Sequence, residues 1–385
     1  MNKKVGIERC PSYEPELVYA ALKQAVELAG DLDVTGKIVL LKPNILFDTS
    51  PEKAVTTHPV FLEAAIRLVR ERGASRILVG DSPGIQVPGF SARGSGLGEA
   101  AKKNGAEWVD FTREKIEIPC PEGKVMKKFT VTGAVADADL IISLPKLKTH
   151  QLMNYTGAMK NIFGLIPSLA KSPFHARFSK CESFASMIVD LNLAVKPAYA
   201  LMDAIVGMEG PGPSAGKPRQ VGLVLASSNF LALDAAASAV IAYLPAEIPI
   251  NREALSRGYW LSGFEEIEYP GLSPADVRIP DFVKVPIKRS GSQFIDFLLP
   301  GPVKRLKEIH SAGPEIDHSI CVRCGDCMRI CDSRAIRMES KEERAEAPKR
   351  RMIIDYSRCI RCFCCHEICE AKAIEISKKK PRNRS

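Results

Sequence analysis

Two cysteine runs of identical spacing limit what this chain can fold into. Cys321, Cys324, Cys327 and Cys331 follow the pattern C-x2-C-x2-C-x3-C, and Cys359, Cys362, Cys365 and Cys369 repeat it. Three thiolates on a tight loop can wrap three corners of an iron–sulfur cubane, while the fourth cysteine of such a run points away and ligates the other cluster. The spacing therefore predicts two [4Fe–4S] clusters, the first held by Cys321, Cys324, Cys327 and Cys369, the second by Cys359, Cys362, Cys365 and Cys331. Zinc also takes four thiolates, but its structural sites normally separate two C-x2-C pairs by a longer spacer. Cys364 has no counterpart in the first repeat, where Asp326 stands, and reads as a bystander thiol.

The repeat is wider than its thiols. Asp317, Ser319, Cys321, Arg323 and Cys324 match Asp355, Ser357, Cys359, Arg361 and Cys362, and both runs continue through Ile-Cys-acid to Ala-Ile, which marks an internal duplication. The alternating apolar residues around Ile336 and Ile374 suit short strands covering the clusters. Asp332 and Glu370 follow the fourth cysteines, and acids there disfavour an added electron and lean towards low potentials. The charged stretch Glu339 to Arg351 between the repeats reads as an exposed loop.

Nine of the twelve cysteines fall in this region; Cys10, Cys120 and Cys181 lie outside and carry no assigned role. Such clustering is not a disulfide framework, and in a cytosolic chain closely spaced thiols read as metal ligands. The first residues lack the apolar core of a signal peptide, no apolar run approaches the ~20 residues of a membrane span, and a cytoplasmic protein is expected. The net charge of +9 is partly local, since Lys378, Lys379, Lys380, Arg382 and Arg384 lie in the last residues. With no interleaved aromatics, that tail reads as a solvated terminus, and nucleic acid is an unlikely partner.

At 385 residues the chain exceeds one ordinary core. From about Gly36 apolar runs of strand length alternate with helical patterns, the signature of an α/β domain with a mostly parallel sheet. Strands are expected at Ile38 to Leu41, Arg76 to Val79, Leu140 to Leu144, Ala198 to Met202 and Val221 to Leu225. Helices are expected from Pro59 to about Arg72 and from about Ala232 to Tyr243, with an inserted hairpin from Lys115 to Thr132. The expected division is an α/β domain at 1–285, a linker at 286–314, a small α+β two-cluster domain at 315–378 and a basic tail at 379–385.

Ligands of open α/β sheets bind beyond the carboxyl ends of the strands. Four expected strand ends carry polar residues: Lys42-Pro43-Asn44, Gly80-Asp81-Ser82-Pro83-Gly84, Lys146-Leu147-Lys148-Thr149-His150, and Asp203 with Glu209. Met159-Lys160-Asn161 follows soon after the third. Lysines facing one crevice suit an anionic small molecule, with Lys42, Asn44, Ser82, Lys146, Lys148, Lys160, Asn161, Asp203 and Glu209 as binding candidates. His150 and Asp81 are the candidates for proton transfer. Gly94-Ser95-Gly96-Leu97-Gly98 is not a dinucleotide fingerprint. Gly210 to Lys217 is not a P-loop, because Pro218 stands where Ser or Thr must hold magnesium, and it reads as a rigid loop and candidate lid. His58 and His175 read as structural histidines.

Taken together, Lys42-Pro43-Asn44, Gly80-Asp81-Ser82-Pro83-Gly84, Leu144 to His150, Gly157-Ala158-Met159-Lys160-Asn161 and Asp203 to Pro213 resemble the domain of unknown function DUF362, a family often fused to a ferredoxin module. The C-terminal segment resembles bacterial two-cluster ferredoxins, with acids in place of the proline that usually follows the fourth cysteine. A more distant similarity, to the lactate racemase superfamily, rests on the α/β build and the Gly80-Asp81-Ser82 turn. These features point to an iron–sulfur oxidoreductase. Its ferredoxin module would pass electrons from a redox partner protein to an anionic substrate or further organic cofactor at the strand ends. The alternatives are a non-enzymatic electron carrier or adaptor that docks a partner enzyme, and a racemase- or lyase-like enzyme with structural clusters.

Overall fold

The run Ile38 to Leu41 is apolar throughout because its strand is central and covered on both faces, the usual state of a parallel sheet. The computed structural model describes residues 2–30, 32–86, 89–286, 312–339 and 351–377. The chain divides into two compact units, 1–285 and 286–385. In chain order the first contains β1 (Gly6–Arg9), α1 (Pro15–Ala29), β2 (Ile38–Pro43), α2 (Pro59–Glu71), β3 (Arg76–Val79), α3 (Leu97–Lys103), β4 (Glu107–Trp108), β5 (Lys115–Pro119), β6 (Lys128–Thr132), α4 (Ala134–Asp137), β7 (Leu140–Leu144), β8 (Lys146–His150), β9 (Asn154–Thr156), α5 (Ala158–Asn161), α6 (Ser172–Arg177), α7 (Cys181–Val195), β10 (Tyr199–Glu209), β11 (Lys217–Ser227), α8 (Phe230–Val240) and α9 (Pro249–Ser256).

Seven strands lie in the order β1-β11-β10-β7-β2-β3-β4, and β8 with β9 completes a nine-stranded sheet from the other half of β10. The run from β10 to β4 is parallel, while β1, β11 and β9 pair antiparallel. Val39, Leu41, Ile77, Val79, Ile142 and Leu144 share one core with the buried faces of α1, α2 and α3. On other contacts of the sheet, α8 packs against β10 and β11 and α5 against β7. Helix α2 starts where expected, with Pro59 in its first turn and the His58 side chain accepting from the Val60 N–H.

Three differences from the sequence reading have physical causes. Lys146 to His150 was expected as a strand-end loop, yet it forms β8, because all five residues are buried and its backbone groups need partners. Pro145 interrupts the ladder between β7 and β8, and the Asp203 N–H donates to its carbonyl at 2.9 Å. Strand β10 then follows β7 with its first residues and β8 with its later ones. Second, β10 and β11 run to Glu209 and from Lys217, so Gly210 to Gly216 is the connection of a long antiparallel hairpin. Thr149 Oγ1 donates to Gly210 O at 2.9 Å and Gln151 N–H to Gly212 O at 3.0 Å, which ties this loop to the end of β8. Third, β1, α1 and α7 had no counterpart in the sequence reading. The β5–β6 hairpin does match its expected bounds.

The second unit carries its duplication into three dimensions. Strand β12 (Gly313–Ile316) pairs with β15 (Ile374–Ser377), and β13 (Ile336–Met338) with β14 (Met352–Ile354), so each ladder joins one strand from each repeat. Asp317 N–H donates to Ala373 O and Asp355 N–H to Ala335 O, both at 2.7 Å. Arg323, Gly325 and Arg334 adopt positive φ, as do their equivalents Arg361, Phe363 and Lys372. Short helices follow the equivalent turns, at Asp326–Arg329 and Cys364–Ile368. Of the linker expected at 286–314, residues 287–311 lie outside the described residues, as do the inter-repeat segment 340–350 and the basic tail, and β12 begins at Gly313 within the expected linker.

Asp190, fully buried on α7, holds the tip of the β5–β6 hairpin by accepting from the N–H groups of Lys124, Val125 and Met126 at 2.7–2.9 Å and from Arg257 at 3.0 Å. Asp190→Ala strands these donors and should cost roughly 3–5 kcal/mol in urea unfolding; a loss below about 1 kcal/mol would show that water replaces the carboxylate.

Candidate functional site

The charged residues expected at the strand ends are present there, but inside the protein. Lys42, Lys146 and Lys148 are at most 2% exposed. Lys42 Nζ meets Asp81 Oδ1 at 2.7 Å and Asn161 Oδ1 at 3.1 Å, and Asn161 Nδ2 returns to Lys42 O and Ser143 Oγ. Asp81 also accepts from the N–H groups of Ile45 at 2.5 Å and Ser82 at 2.9 Å. Ends of β2 and β3 and helix α5 are thereby joined through one ion pair. Burial lowers the Lys42 pKa, which the adjacent Asp81 charge raises and Lys160 lowers again. A Cβ at Gly164 would stand 2.1 Å from Asp81 Oδ1 and 2.6 Å from Lys42 Nζ, so only glycine lets the chain after α5 close over this pair.

A second group adjoins it. Lys146 Nζ lies 2.8 Å from Asp203 Oδ2 and 2.6 Å from Tyr13 Oη, and the Tyr13 hydroxyl donates to Asp203 Oδ1 at 2.8 Å. His58 N–H donates to Asp203 at 2.9 Å, and its ring stacks on Tyr13 with centroids 3.6 Å apart. Burial, aided by the Lys146 charge and opposed by that of Asp203, brings the His58 pKa down to about 4. Burial and the Asp203 charge raise that of Tyr13. Thr57 links the groups: its hydroxyl accepts from Asn44 N–H at 2.8 Å and donates to Leu144 O at 2.7 Å.

Of the residues expected at a crevice, Lys42, Asp81, Ser82, Lys160 and Asn161 gather in the first group and Lys146 with Asp203 in the second. Asn44 sits between them. Lys148 donates to Val55 O at 2.8 Å instead. His150 is fully buried, with Nδ1 accepting from the N–H groups of Leu152 and Met153. Glu209 lies six residues beyond Asp203 on an extended strand, about 20 Å away, where it accepts from Val283 N–H. Tyr13, His58, Lys171 and His175 belong to these surroundings and were not identified as site residues from the sequence. Tyr13 and His58 gave no local signal; Lys171 and His175 did, being four apart on one helical face.

In the second unit Cys321, Cys324, Cys327 and Cys369 line one cavity with Arg323, Gly325 and Ile374. Burial and then the neighbouring Cys324, Cys321 and Cys369 push the Cys327 thiol up to about 12. Burial and the charges of Cys362, Cys359, Cys327 and Cys331 likewise raise Cys365. Thiols gathered so closely in a dry site are poor free acids, and a cationic cluster relieves that cost by binding them as thiolates. The two sets are those the crossed ligation requires, so the residues fit two [4Fe–4S] clusters. Ala335 N–H donates to Cys331 Sγ at 3.2 Å and Ala373 N–H to Cys369 Sγ at 3.3 Å, one such bond for each crossing ligand. Cys364 is buried beside Cys362, with which it shares a side-chain hydrogen bond.

Comparison with known proteins agrees with this division. Residues 39–239 match the domain of unknown function DUF362. The chain belongs to the DUF362 family. Residues 320–381 match a 4Fe-4S dicluster domain, so this DUF362 protein carries two [4Fe–4S] clusters. A thylakoid-associated protein of Synechocystis is 33% identical over 262 residues, covering 65% of this chain and 78% of its own. Among solved structures, the lactate racemase apoprotein of Thermoanaerobacterium thermosaccharolyticum is 16% identical with a TM-score of 0.40, and the match spans 58% of this chain and 53% of the racemase. A Thermotoga maritima protein is 15% identical with a TM-score of 0.35, over 60% of this chain and 59% of its own. Among the described residues no helix is long and apolar enough to cross a membrane.

Two outcomes follow for this DUF362 protein. Breaking the buried pair from one side, by Lys42→Met or Asp81→Asn, should each cost roughly 3–5 kcal/mol, while the double variant loses at least ~1 kcal/mol less than their sum; additive losses in urea unfolding would show the two are not coupled. In the second unit, Cys331→Ser should remove iron from the cluster of the second repeat, whereas Cys364→Ser should leave the iron content unchanged. Equal iron loss in the two would reverse the ligand assignment.

Proposed function

We propose that the protein is an iron–sulfur oxidoreductase. Its ferredoxin-like unit takes electrons from a redox partner protein and delivers them, one at a time, to an anionic substrate or organic cofactor held at the carboxyl ends of β2, β3 and β7. The observation that carries this reading is the pair of four-cysteine sets, each completed by a cysteine from the other repeat. Bound clusters supply one-electron transfer at fixed positions. The surrounding residues tune that chemistry: the Ala335 and Ala373 amides donate to ligand sulfurs, favouring the reduced state, and Asp332 and Glu370 oppose it. Covalent attachment to the α/β unit holds donor and acceptor at a high effective concentration, which matters most when electrons pass between them.

A second reading is favoured by the internal pairing of Lys42 with Asp81 and of Lys146 with Asp203. Ion pairs that are already satisfied hold a fold, and on this reading the α/β unit docks a partner enzyme while the clusters act as a carrier.

Protein purified without oxygen should contain about eight iron atoms per chain, together with a small anionic molecule identifiable by mass spectrometry. Adding that molecule to the reduced protein should restore the visible absorption of the oxidised clusters. Full iron loading with reoxidation only by an added redox protein would support the carrier instead, and stoichiometric zinc in place of iron after anaerobic reconstitution would exclude both.

A further inference from the structure

The Lys42–Asp81 pair leaves a neighbouring cation without a counter-charge of its own among the described residues. Lys171 is 9% exposed, and its Nζ donates to two neutral acceptors, Ser82 O and, at 3.1 Å, Pro83 O. An ammonium has three donors, so one remains for a further acceptor. Asp81 is the carboxylate whose charge reaches Lys171, and it is already engaged by Lys42; the charges of Lys42 and Lys160 both oppose protonation of Lys171. His175 lies four residues on, one turn along the same helical face. It is 7% exposed, its ring packs 4.7 Å from that of Phe184, and its Nδ1 has no hydrogen-bond partner among the described residues. The charges of Lys160 and Lys171 both reach it. A buried, unpartnered ring nitrogen and a spare ammonium N–H thus stand on one face, with the charge of Lys160 reaching both.

We propose that Lys160, Lys171 and His175 form a binding site for a small oxyanion, a phosphate or a carboxylate, over the ends of β2 and β3. Each would donate to the anion: Lys171 through its spare N–H, His175 through Nδ1 and Lys160 through its ammonium. The anion supplies the negative charge that Asp81, committed to Lys42, does not. Gly164, lacking a side chain, lets the segment between α5 and α6 lie close enough to place these groups together. This deepens the reading above by naming the groups that hold the anionic end of the ligand, and it can be tested without any electron flow.

Burial is the first cause that brings the Lys171 pKa down to about 7. An anion beside it favours the charged form and raises that pKa. Binding above pH ~7 therefore draws a proton from solution, with Asp81, Lys42, Lys160 and His175 as the titratable groups around Lys171. The test is calorimetry on the full chain with both clusters loaded, titrating inorganic phosphate and, separately, oxalate at about pH 8 in buffers of different ionisation enthalpy. Binding of either anion with net proton uptake is expected. Lys171→Met should weaken it at least tenfold and abolish the uptake, and His175→Gln should weaken it severalfold with iron content unchanged. Preference for phosphate marks a phosphorylated ligand, and preference for oxalate a carboxylate. Absence of binding by both, binding without proton uptake, or wild-type affinity in both variants overturns the site. If Lys171→Met fails to fold, proton uptake by the wild type and the affinity of His175→Gln decide the matter. Loss of electron transfer with anion binding intact would instead count against the oxidoreductase reading.

Discussion

An ammonium group taken out of water has to find charge or oxygen inside the protein, and three lysines are taken out of water at the strand ends of the α/β unit. The way each is satisfied organises that end of the fold. Lys42 reaches Asp81 and Asn161, which ties β2 to β3 and to α5; Lys146 reaches Asp203 and Tyr13, which ties β8 to β10 and to the entry of α1. Lys148 draws the segment after β2 inward through Val55 O. Desolvating an ion costs several kcal/mol and the pairing only returns it. These pairs therefore add little net stability, yet they make every alternative arrangement expensive, since a broken pair leaves a charge stranded in the core.

The same logic holds in the second unit with sulfur in place of nitrogen. Among the described residues its hydrophobic core is small: Ile336, Met352 and Ile374 pack with Cys327 and Cys365, and the six further residues at the edge include no aromatic. A core of that size does little to hold a chain of this length by itself, and the cysteines that complete it are the ligands. Metal binding in such a unit is folding energy. The crossed ligation expected from the spacing would make the two repeats mutually dependent, with Cys331 and Cys369 each serving the cluster wrapped by the other repeat.

The two units also differ in how they handle backbone groups near their charges. In the α/β unit, buried carboxylates collect amide donors, as Asp81 does from Ile45 and Ser82, and Asp203 from His58. In the two-cluster unit the amides of Ala335 and Ala373 turn to sulfur. Both use the backbone to stabilise negative charge in a dry site, where such bonds are strongest.

The cysteine spacing by itself determined the cluster chemistry. Ligand loops are local, so residues a few positions apart carry their geometry with them, whereas the pairing of strands between the repeats came only with the fold. The central strands were equally legible: β3 and β7 keep their expected bounds because buried parallel strands write themselves as continuous apolar runs. The pairing of the lysines was decided only by the tertiary structure. Lys42 and Lys146 read as surface cations facing a crevice because nothing near them in sequence shows a counter-ion; their carboxylates come from other strands. For the same reason the lysines of β8 hide a strand that only pairing with β10 reveals, and the setting of Lys171 near Asp81 and Lys42 comes only with the fold. Local spacing encodes metal ligands and strand patterns, whereas the neutralisation of a buried charge depends on partners that only the assembled sheet brings together.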